Sequence, residues 1–188
     1  VGTQNLDSAR FILFNESFGM ALLYMSVGSI IWTNITQDLT QLGGLWSRRP
    51  FTALSMLVAA TSFIALPPLG GFWGFLQLLG SLWVEQPWLV GVILIVNTLT
   101  AFSLTRLFCR IFLGRVKPMS ERSVEPFWLI SLPVITSAVL ICHIPIILQN
   151  LGRLPSWGEL DLLFAPLLVW SSISGIAISG VIYGVNAI

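Results

Sequence analysis

The feature that most constrains this fold is a series of long apolar segments separated by short polar connectors. A membrane helix needs about 20 consecutive apolar residues. Four segments satisfy that length without interruption: 11–34, 88–113, 127–149 and 162–187. Hydrophobic residues make up 55% of the chain and charged residues only 9%, against about 25% charged in soluble domains. We therefore predict an integral membrane protein, with residues 1–188 forming part of one all-α, polytopic transmembrane helix bundle.

A fifth apolar segment, 52–84, contains a break at its centre, in the sequence "FIALPPLGGFWGFLQ". Proline removes a backbone donor and clashes with the preceding helical turn, and glycine relaxes the chain. The break is predicted at residues 67–71 and contains Pro67, Pro68, Gly70 and Gly71. As two separate helices, each half would have about 15 residues, which is too short to span. As one interrupted helix, the halves together are long enough to cross.

The placement of basic residues favours one interrupted crossing. If 52–84 crosses once, the connectors 35–51 and 114–126 lie on the same side of the membrane. Those connectors then hold five basic residues on one side: Arg48, Arg49, Arg115, Lys117 and Arg122. The opposite connectors hold Arg10 and Arg153. Because cytoplasmic loops carry an excess of Lys and Arg, the sequence predicts five spans with the basic loops facing the cytoplasm.

A break within a span frees backbone amides and carbonyls, which only protein or a water-filled cavity can satisfy. Transporters use such half-helices to present polar groups at the membrane midplane. The alternative is a simple proline kink packed against a neighbouring helix. Two prolines followed by two glycines favour a functional break, in which freed carbonyls around residues 66–70 would orient water.

Ionisable residues within spans are candidates for function because they are expensive to bury. Glu16 is either an interfacial carboxylate or a proton acceptor that faces the bundle. His143, the only histidine, is either a proton relay or a neutral ring bonded to a helix carbonyl. Arg110 is expected to reach the interface, whereas Arg106 lies deeper and is expected to pair with a carboxylate or a freed carbonyl.

The third uninterrupted polar pattern is the run of Asn97, Thr98, Thr100, Ser103 and Thr105 in the span 88–113. Small hydroxyl residues either hold a water chain beside the break or serve helix packing. The segment "WSSISGIAISGVIYGVNA" reads as a close-packing face. The hypothetical proton path therefore consists of Glu16, His143, Arg106, Gln77, Thr98 and Thr105.

Motifs for catalysis, metal binding or a phosphate-binding loop are not found, so we predict no catalytic or metal residues and no cofactor bound by this chain. Cys109 and Cys142 lie in apolar runs and are predicted to be buried small side chains. The net charge of +1 gives no basic field for nucleic acid. Because the chain begins with Val1, we expect it to be a piece of a longer protein.

Three motifs, "ALLYMSVGSIIWTNITQDLTQLGGLWSRRP", "ALPPLGGFWGFLQLLGSLW" and "NTLTAFSLTRLFCRIFLG", resemble the large antiporter-like membrane subunit of complex I. The likeness is to the chain-5 (NdhF-type) subunit of the cyanobacterial and plastid NAD(P)H/ferredoxin–plastoquinone oxidoreductase. It covers nearly the whole chain and implies the later half of a larger subunit, with 52–84 as the second of two broken helices.

The resemblance also exposes departures from the family pattern. Where the family has a histidine and a lysine one turn apart, this chain has Glu16 and Met20. Where the family has a lysine followed by two acids after the break, this chain has Phe75, Leu76 and Gln77. These forms resemble the divergent cyanobacterial variants found in complexes specialised for CO2 uptake.

The resemblance implies a subunit of a plastoquinone-reducing dehydrogenase in the cyanobacterial thylakoid membrane, active in photosynthetic cyclic electron transport. It would contribute to proton translocation and to the hydration of CO2 to bicarbonate. Plastoquinone, ferredoxin or NAD(P)H, and the iron–sulfur clusters would belong to partner subunits. Expected partners are the neighbouring antiporter-like subunit, a soluble CO2-hydrating subunit and lipids. The alternatives are a subunit of a multisubunit cation/proton antiporter and a non-conducting anchor for a soluble partner.

Overall fold

The computed structural model describes residues 6–125, 128–152 and 163–187, and the regular structure in these ranges is helical. A short 3-10 turn, Leu45–Ser47, precedes the second helix. The seven α-helices are α1 (Leu6–Asn34), α2 (Pro50–Phe63), α3 (Gly70–Glu85), α4 (Pro87–Phe112), α5 (Pro118–Glu121), α6 (Trp128–Asn150) and α7 (Phe164–Ala187). The predicted all-α membrane helix bundle is confirmed.

Three helices are long and apolar enough to cross a membrane unaided: Ala9–Asn34, Pro87–Phe112 and Phe164–Val185. Pro50–Phe63 and Val134–Asn150 are shorter apolar helices. Large apolar side chains such as Trp32, Ile95 and Trp170 are exposed on the outer faces. Such faces suit lipid or neighbouring membrane segments.

Proline and glycine set the helix ends as backbone chemistry requires. Pro50, Pro87 and Pro118 occupy the first turns of α2, α4 and α5, where the missing N–H would have no helical partner. Gly114 and Gly152 follow α4 and α6 with φ of 81° and 67°. A residue without Cβ adopts this left-handed conformation at little cost, so both glycines terminate their helices.

The helices α2 and α3 lie one after the other along α1, and both run antiparallel to it. Four contacts follow in order along α1: Thr33 with Arg49, Gly19 with Phe63, Asn15 with Gly70 and Ile12 with Gly74. Together α2 and α3 therefore form one interrupted helix. The non-helical residues are 64–69, so the interruption lies slightly earlier than the predicted 67–71, and Gly70 and Gly71 are already the first turn of α3.

The helices α4 and α7 form the most extensive pair and run parallel. Along them, Asn97 bonds to Ser172, Gly175 lies against Thr98, and the Tyr183 hydroxyl lies over Gly114. A Cβ at Gly175 would overlap the Thr98 carbonyl, so glycine is what allows these two backbones to approach closely.

The connectors 35–49 and 113–125 meet at one end of the bundle, which we call the basic end. The amide of Gly44 donates to the Leu113 carbonyl at 3.1 Å, and the amide of Gly43 donates to the Ser120 hydroxyl at 3.1 Å. The two connectors that hold most of the basic residues therefore pack directly against each other. This is the arrangement on which the argument from charge placement depends.

Three apolar clusters fill the interior. The largest joins α3, α4 and α7 around the fully buried Trp73 and Leu79. A second lies near the basic end, and a third packs α1 and α2 against α6. Both cysteines are free thiols; Cys109 is buried, as predicted, whereas Cys142 is only partly buried.

Candidate functional site

The end of α2 is closed by a hydrogen-bond pattern that usually requires glycine. Ala65 has a φ of 52°, in the left-handed region. The amide of Leu66 donates to the Thr61 carbonyl at 3.2 Å, and the amide of Ala65 donates to the Ser62 carbonyl at 3.4 Å. This is a Schellman motif with alanine at the position that glycine normally occupies. A non-glycine residue there carries local strain, which is common at functional sites.

The expectation of freed carbonyls around residues 66–70 needs correction. The Leu66 carbonyl accepts from the Leu69 amide at 3.2 Å, and the Leu69 carbonyl accepts from the Phe72 amide at 3.1 Å. Backbone groups therefore already satisfy these oxygens. A side chain reaches the carbonyl of Ile64 instead: the Ser172 hydroxyl of α7 donates to it.

On the α1 side of the break, α2 and α3 meet through glycine and a polar pair. A Cβ at Gly71 would overlap the Ser62 carbonyl, and one at Gly70 would overlap the Asn15 side chain. The Ser62 hydroxyl donates to Asn15 Oδ1 at 3.2 Å, and both residues are buried. The two glycines thus bring the start of α3 into direct contact with this hydrogen-bonded pair.

On the other side, a polar cluster joins α4 and α7 to the break. Asn97 Nδ2 donates to the hydroxyls of Ser171 at 2.8 Å and Ser172 at 2.9 Å. Ser172, which is fully buried, passes a hydrogen bond on to Ile64. Asn97 Oδ1 is buried and makes no hydrogen bond to the described residues. A buried acceptor of this kind is a position where ordered water binds.

Three of the predicted path residues lie near this break. Thr98 joins the α4–α7 cluster by donating to the Ser171 carbonyl at 3.1 Å. Glu16 is partly buried and follows Asn15 on α1. Gln77 is partly buried on α3, two turns beyond the break.

The structure does not bring the other three predicted residues to the break. His143 is exposed, and its Nδ1 lies 2.8 Å from the Val139 carbonyl of the same helix. Arg106 is exposed on α4, and Thr105 is partly buried one residue before it. Across the described ranges, His, Cys, Asp and Glu side chains nowhere form a group of three that could hold a metal ion.

The positions where the resemblance places a lysine and an acid pack into apolar surroundings. Phe75 is partly buried against the cluster of α3, α4 and α7, and Leu76 is buried. The face of α3 that follows the break is therefore filled by hydrocarbon at these two positions.

A second polar centre at the basic end was missed by the sequence reasoning, which counted Arg49 among the loop cations. Arg49 is fully buried beneath the start of α2. It donates to the Ser29 carbonyl at 3.1 Å and to the Thr33 hydroxyl at 2.9 Å. Burial lowers the pKa of its guanidinium, and the negative charge of Glu125 opposes that shift. The available signal was its position directly before a helix that begins with proline.

Glu125 belongs to the same centre. Its carboxylate accepts from the amides of Phe51 at 2.8 Å and Thr52 at 3.1 Å, and from the Thr52 hydroxyl at 2.9 Å. A carboxylate at a helix N-terminus satisfies free amides and the positive end of the helix dipole. A residue 73 positions away therefore caps α2.

Comparison with known proteins gives one family model, described as the transmembrane region of NADH:quinone oxidoreductases and Mrp antiporters, which matches residues 1–145. That match covers most of the chain and includes the break, α1 and α4.

Several curated proteins are similar. NAD(P)H-quinone oxidoreductase subunit 5 of the Paulinella chromatophora chromatophore (copy 2) is 36% identical over 177 residues, or 93% of this chain. The chloroplastic subunit 5 of Spinacia oleracea is 29% identical over 70% of this chain. NADH-quinone oxidoreductase subunit N 2 of Roseiflexus castenholzii is 33% identical over 52% of it. The matched region spans only 28%, 20% and 19% of these relatives, respectively.

Proposed function

The chain belongs to the transmembrane family that NADH:quinone oxidoreductases and Mrp antiporters share, and we propose that it is part of a proton-translocating membrane subunit of an NAD(P)H/ferredoxin–plastoquinone oxidoreductase. Its similarity to subunit 5 relatives over 93% of its length supports that assignment. In this proposal plastoquinone, the electron donor and the iron–sulfur clusters are held by partner subunits. The neighbouring antiporter-like subunit is the expected membrane partner.

The observation that carries the proposal is the break at residues 64–69 with polar groups on both of its sides. One side has the Asn15–Ser62 pair, and the other has Ser172 bonded to the Ile64 carbonyl. Serine hydroxyls both donate and accept, so they can hand a proton along a chain of hydrogen bonds. Polar groups at such a break are the usual means of carrying ions across a membrane domain.

In the proposed path Glu16 is the titratable step. It lies next to Asn15 and therefore close to the break, and a carboxylate within a span is a functional candidate by its cost alone. Water bound at Asn97 Oδ1 would extend the path towards Thr98 and the α4–α7 cluster. Phe75 occupies the lysine position of the family, so the path would depend on Glu16 and bound water instead.

His143 and Arg106 have a different place in the proposal. Both side chains are exposed on the described bundle, so they would join a proton path only where another membrane segment covers them. Gln77 and Thr105 are partly buried and would orient water along α3 and α4.

The finer proposal is that proton movement drives CO2 uptake in a cyanobacterial thylakoid membrane, with the basic end facing the cytoplasm. Hydration of CO2 yields bicarbonate and one proton, so removal of that proton favours hydration. A soluble CO2-hydrating partner would carry out the reaction. The support is the likeness of "GGLWSRRP" and "FWGFLQLLGSLW" to divergent subunits of this type.

The test is Glu16→Gln in the full-length subunit within its complex, compared with Glu16→Asp and with the exposed Glu121→Gln. The number of protons moved per electron is measured in sealed membranes by a pH-sensitive dye during quinone reduction. We expect Glu16→Gln to lower this ratio, Glu16→Asp to restore much of it, and Glu121→Gln to leave it unchanged. An unchanged ratio in Glu16→Gln would remove Glu16 from the path.

A second candidate function is a subunit of a multisubunit cation/proton antiporter, which the matched family also includes. It predicts sodium-dependent proton exchange that needs no quinone. The same membranes, assayed with a sodium gradient and no electron donor, distinguish the two. If the Glu16 and Ser172 variants affect only assembly of the complex, the chain serves as an anchor instead.

A further inference from the structure

A cavity of about 440 Å³ opens at the basic end, where the connector after α1 meets the ends of α4 and α7. Its cationic walls are Arg110, Arg115 and Lys117, and Tyr183 adds a hydroxyl. Among the described residues that line it, none is acidic. The apolar part of the wall comes from Leu39, Leu42 and Leu113.

The cavity is enclosed by tightly packed backbone. A Cβ at Gly43 would lie 2.9 Å from the Arg115 carbonyl, and one at Gly44 would lie 2.7 Å from the Val116 amide nitrogen. Lys117 is held in place because its ammonium donates to the Thr40 carbonyl. The cations are therefore attached to a fixed wall made by two connectors.

Tyr183 closes the cavity on the α7 side. A Cβ at Gly114 would lie only 2.7 Å from the Tyr183 hydroxyl, so this ring leans over the end of α4. Tyrosine is favoured at the membrane–water interface because its ring is apolar and its hydroxyl is polar. The cavity thus lies at the ends of two candidate spans, Pro87–Phe112 and Phe164–Val185.

Charge within the cavity remains positive after its surroundings are counted. Asp38 is close enough for the Lys117 charge to contribute to the lowered pKa of its carboxyl. It partly neutralises Lys117, whereas Arg110 and Arg115 are exposed to the cavity and to solvent. A ligand that bears one negative charge matches the remaining two cations.

We propose that this cavity binds the anionic headgroup of a membrane lipid, a phosphate diester or a sulfonate, between Arg110, Arg115, Lys117 and the Tyr183 hydroxyl. Arginine and lysine donate charge-assisted hydrogen bonds to such oxygens. The apolar residues Leu39, Leu42 and Leu113 contact the glycerol and the first part of the acyl chains. Basic pockets between membrane helices on the cytoplasmic side bind anionic lipids in this way.

The test compares two double variants of the full-length subunit in its complex. Arg110→Gln with Arg115→Gln removes two cavity cations, while Lys117 stays because it holds the connector. Arg106→Gln with Arg122→Gln is the matched control, since it removes two exposed cations from the same helix and the same connector outside the cavity. Each complex is reconstituted in phosphatidylcholine alone or mixed with phosphatidylglycerol, and the co-purifying lipid is quantified by mass spectrometry.

We expect the unmodified complex to retain phosphatidylglycerol over phosphatidylcholine. At about fivefold per basic residue, the cavity variant should lose about 30-fold in this preference, and the control little. Equal losses in both variants would show a general surface charge effect and overturn the proposal. It is also overturned if inorganic phosphate alone occupies the site and the complex shows no preference for phosphatidylglycerol.

Discussion

Glu125 holds Thr52 by two hydrogen bonds, one from the Thr52 amide at 3.1 Å and one from its hydroxyl at 2.9 Å. The connector before α6 thereby fixes the start of α2. Arg49 lies buried directly before that helix and binds α1. The first half of the broken helix is thus attached to its neighbours at the basic end by charged groups.

Glu125→Gln is expected to destabilise the subunit by about 1–2 kcal/mol, because an amide carries no charge for the helix dipole and accepts at one oxygen only. Thermal unfolding of the purified complex measures the change. Glu121→Gln, in the same connector, is the control, since only its main-chain carbonyl is used, by Arg48. A Glu125→Gln complex as stable as this control would refute the capping role.

Arg49→Met is expected to cost about 3–5 kcal/mol, the range for removing one member of a buried charged group. Its loss leaves the Ser29 carbonyl and the Thr33 hydroxyl without their donor. Arg48→Met should cost less than about 1 kcal/mol, because Arg48 is exposed. The amount of each variant that assembles in membranes, with its unfolding temperature, is the measurement. Similar losses in both variants would contradict the distinction.

The sequence predicted the helix class and the interrupted segment because apolar run length and proline are local signals. It did not predict the partners of Arg49 or Asn97. A count of basic residues in loops treats Arg49 like Arg48, and only the packing of α1 on α2 shows that one of them is buried. Likewise, Ser172 was read as part of a packing face, and its bond to Ile64 spans 108 residues.

Gly71→Ala is expected to displace the start of α3 and to destabilise the subunit by about 1–3 kcal/mol, since the added methyl group would overlap the Ser62 carbonyl. Gly80→Ala on the same helix is the control. A Cβ at Gly80 meets nothing within 4 Å, so alanine there should be neutral or stabilise by up to about 1 kcal/mol. Both are compared by thermal unfolding, and a tolerated Gly71→Ala would show that the break can relax.

Asn97→Ala is expected to cost about 1–3 kcal/mol, because the hydroxyls of Ser171 and Ser172 lose a buried donor. Thr100→Ala is the control on the same helix, since that hydroxyl bonds only within α4, to the Val96 carbonyl. If the cluster also holds water for the proton path, Asn97→Ala lowers proton translocation more than quinone reduction. Equal stability of the two variants would mean that the Asn97 cluster contributes no net stability.

The Asp38 turn provides a pH test outside the spans. Hydrogen bonds from Thr40, assisted by the Lys117 charge, lower the pKa of the Asp38 carboxyl. Because the folded-state pKa is depressed, the stabilisation is present above the unfolded value and is lost as pH falls through the folded value. The NMR shift of the Thr40 amide should therefore titrate below the ordinary aspartate pKa, and Asp38→Asn should abolish the titration. A midpoint at the ordinary value would contradict this.

The order of contacts along α1 has a mechanical consequence for the break. One unbroken helix touches the start of α2, its end, and the first turns of α3. Bending at residues 64–69 would require α1 to bend or slide as well. The uninterrupted helix therefore acts as a brace across the gap, and the break is a fixed opening in the bundle rather than a hinge.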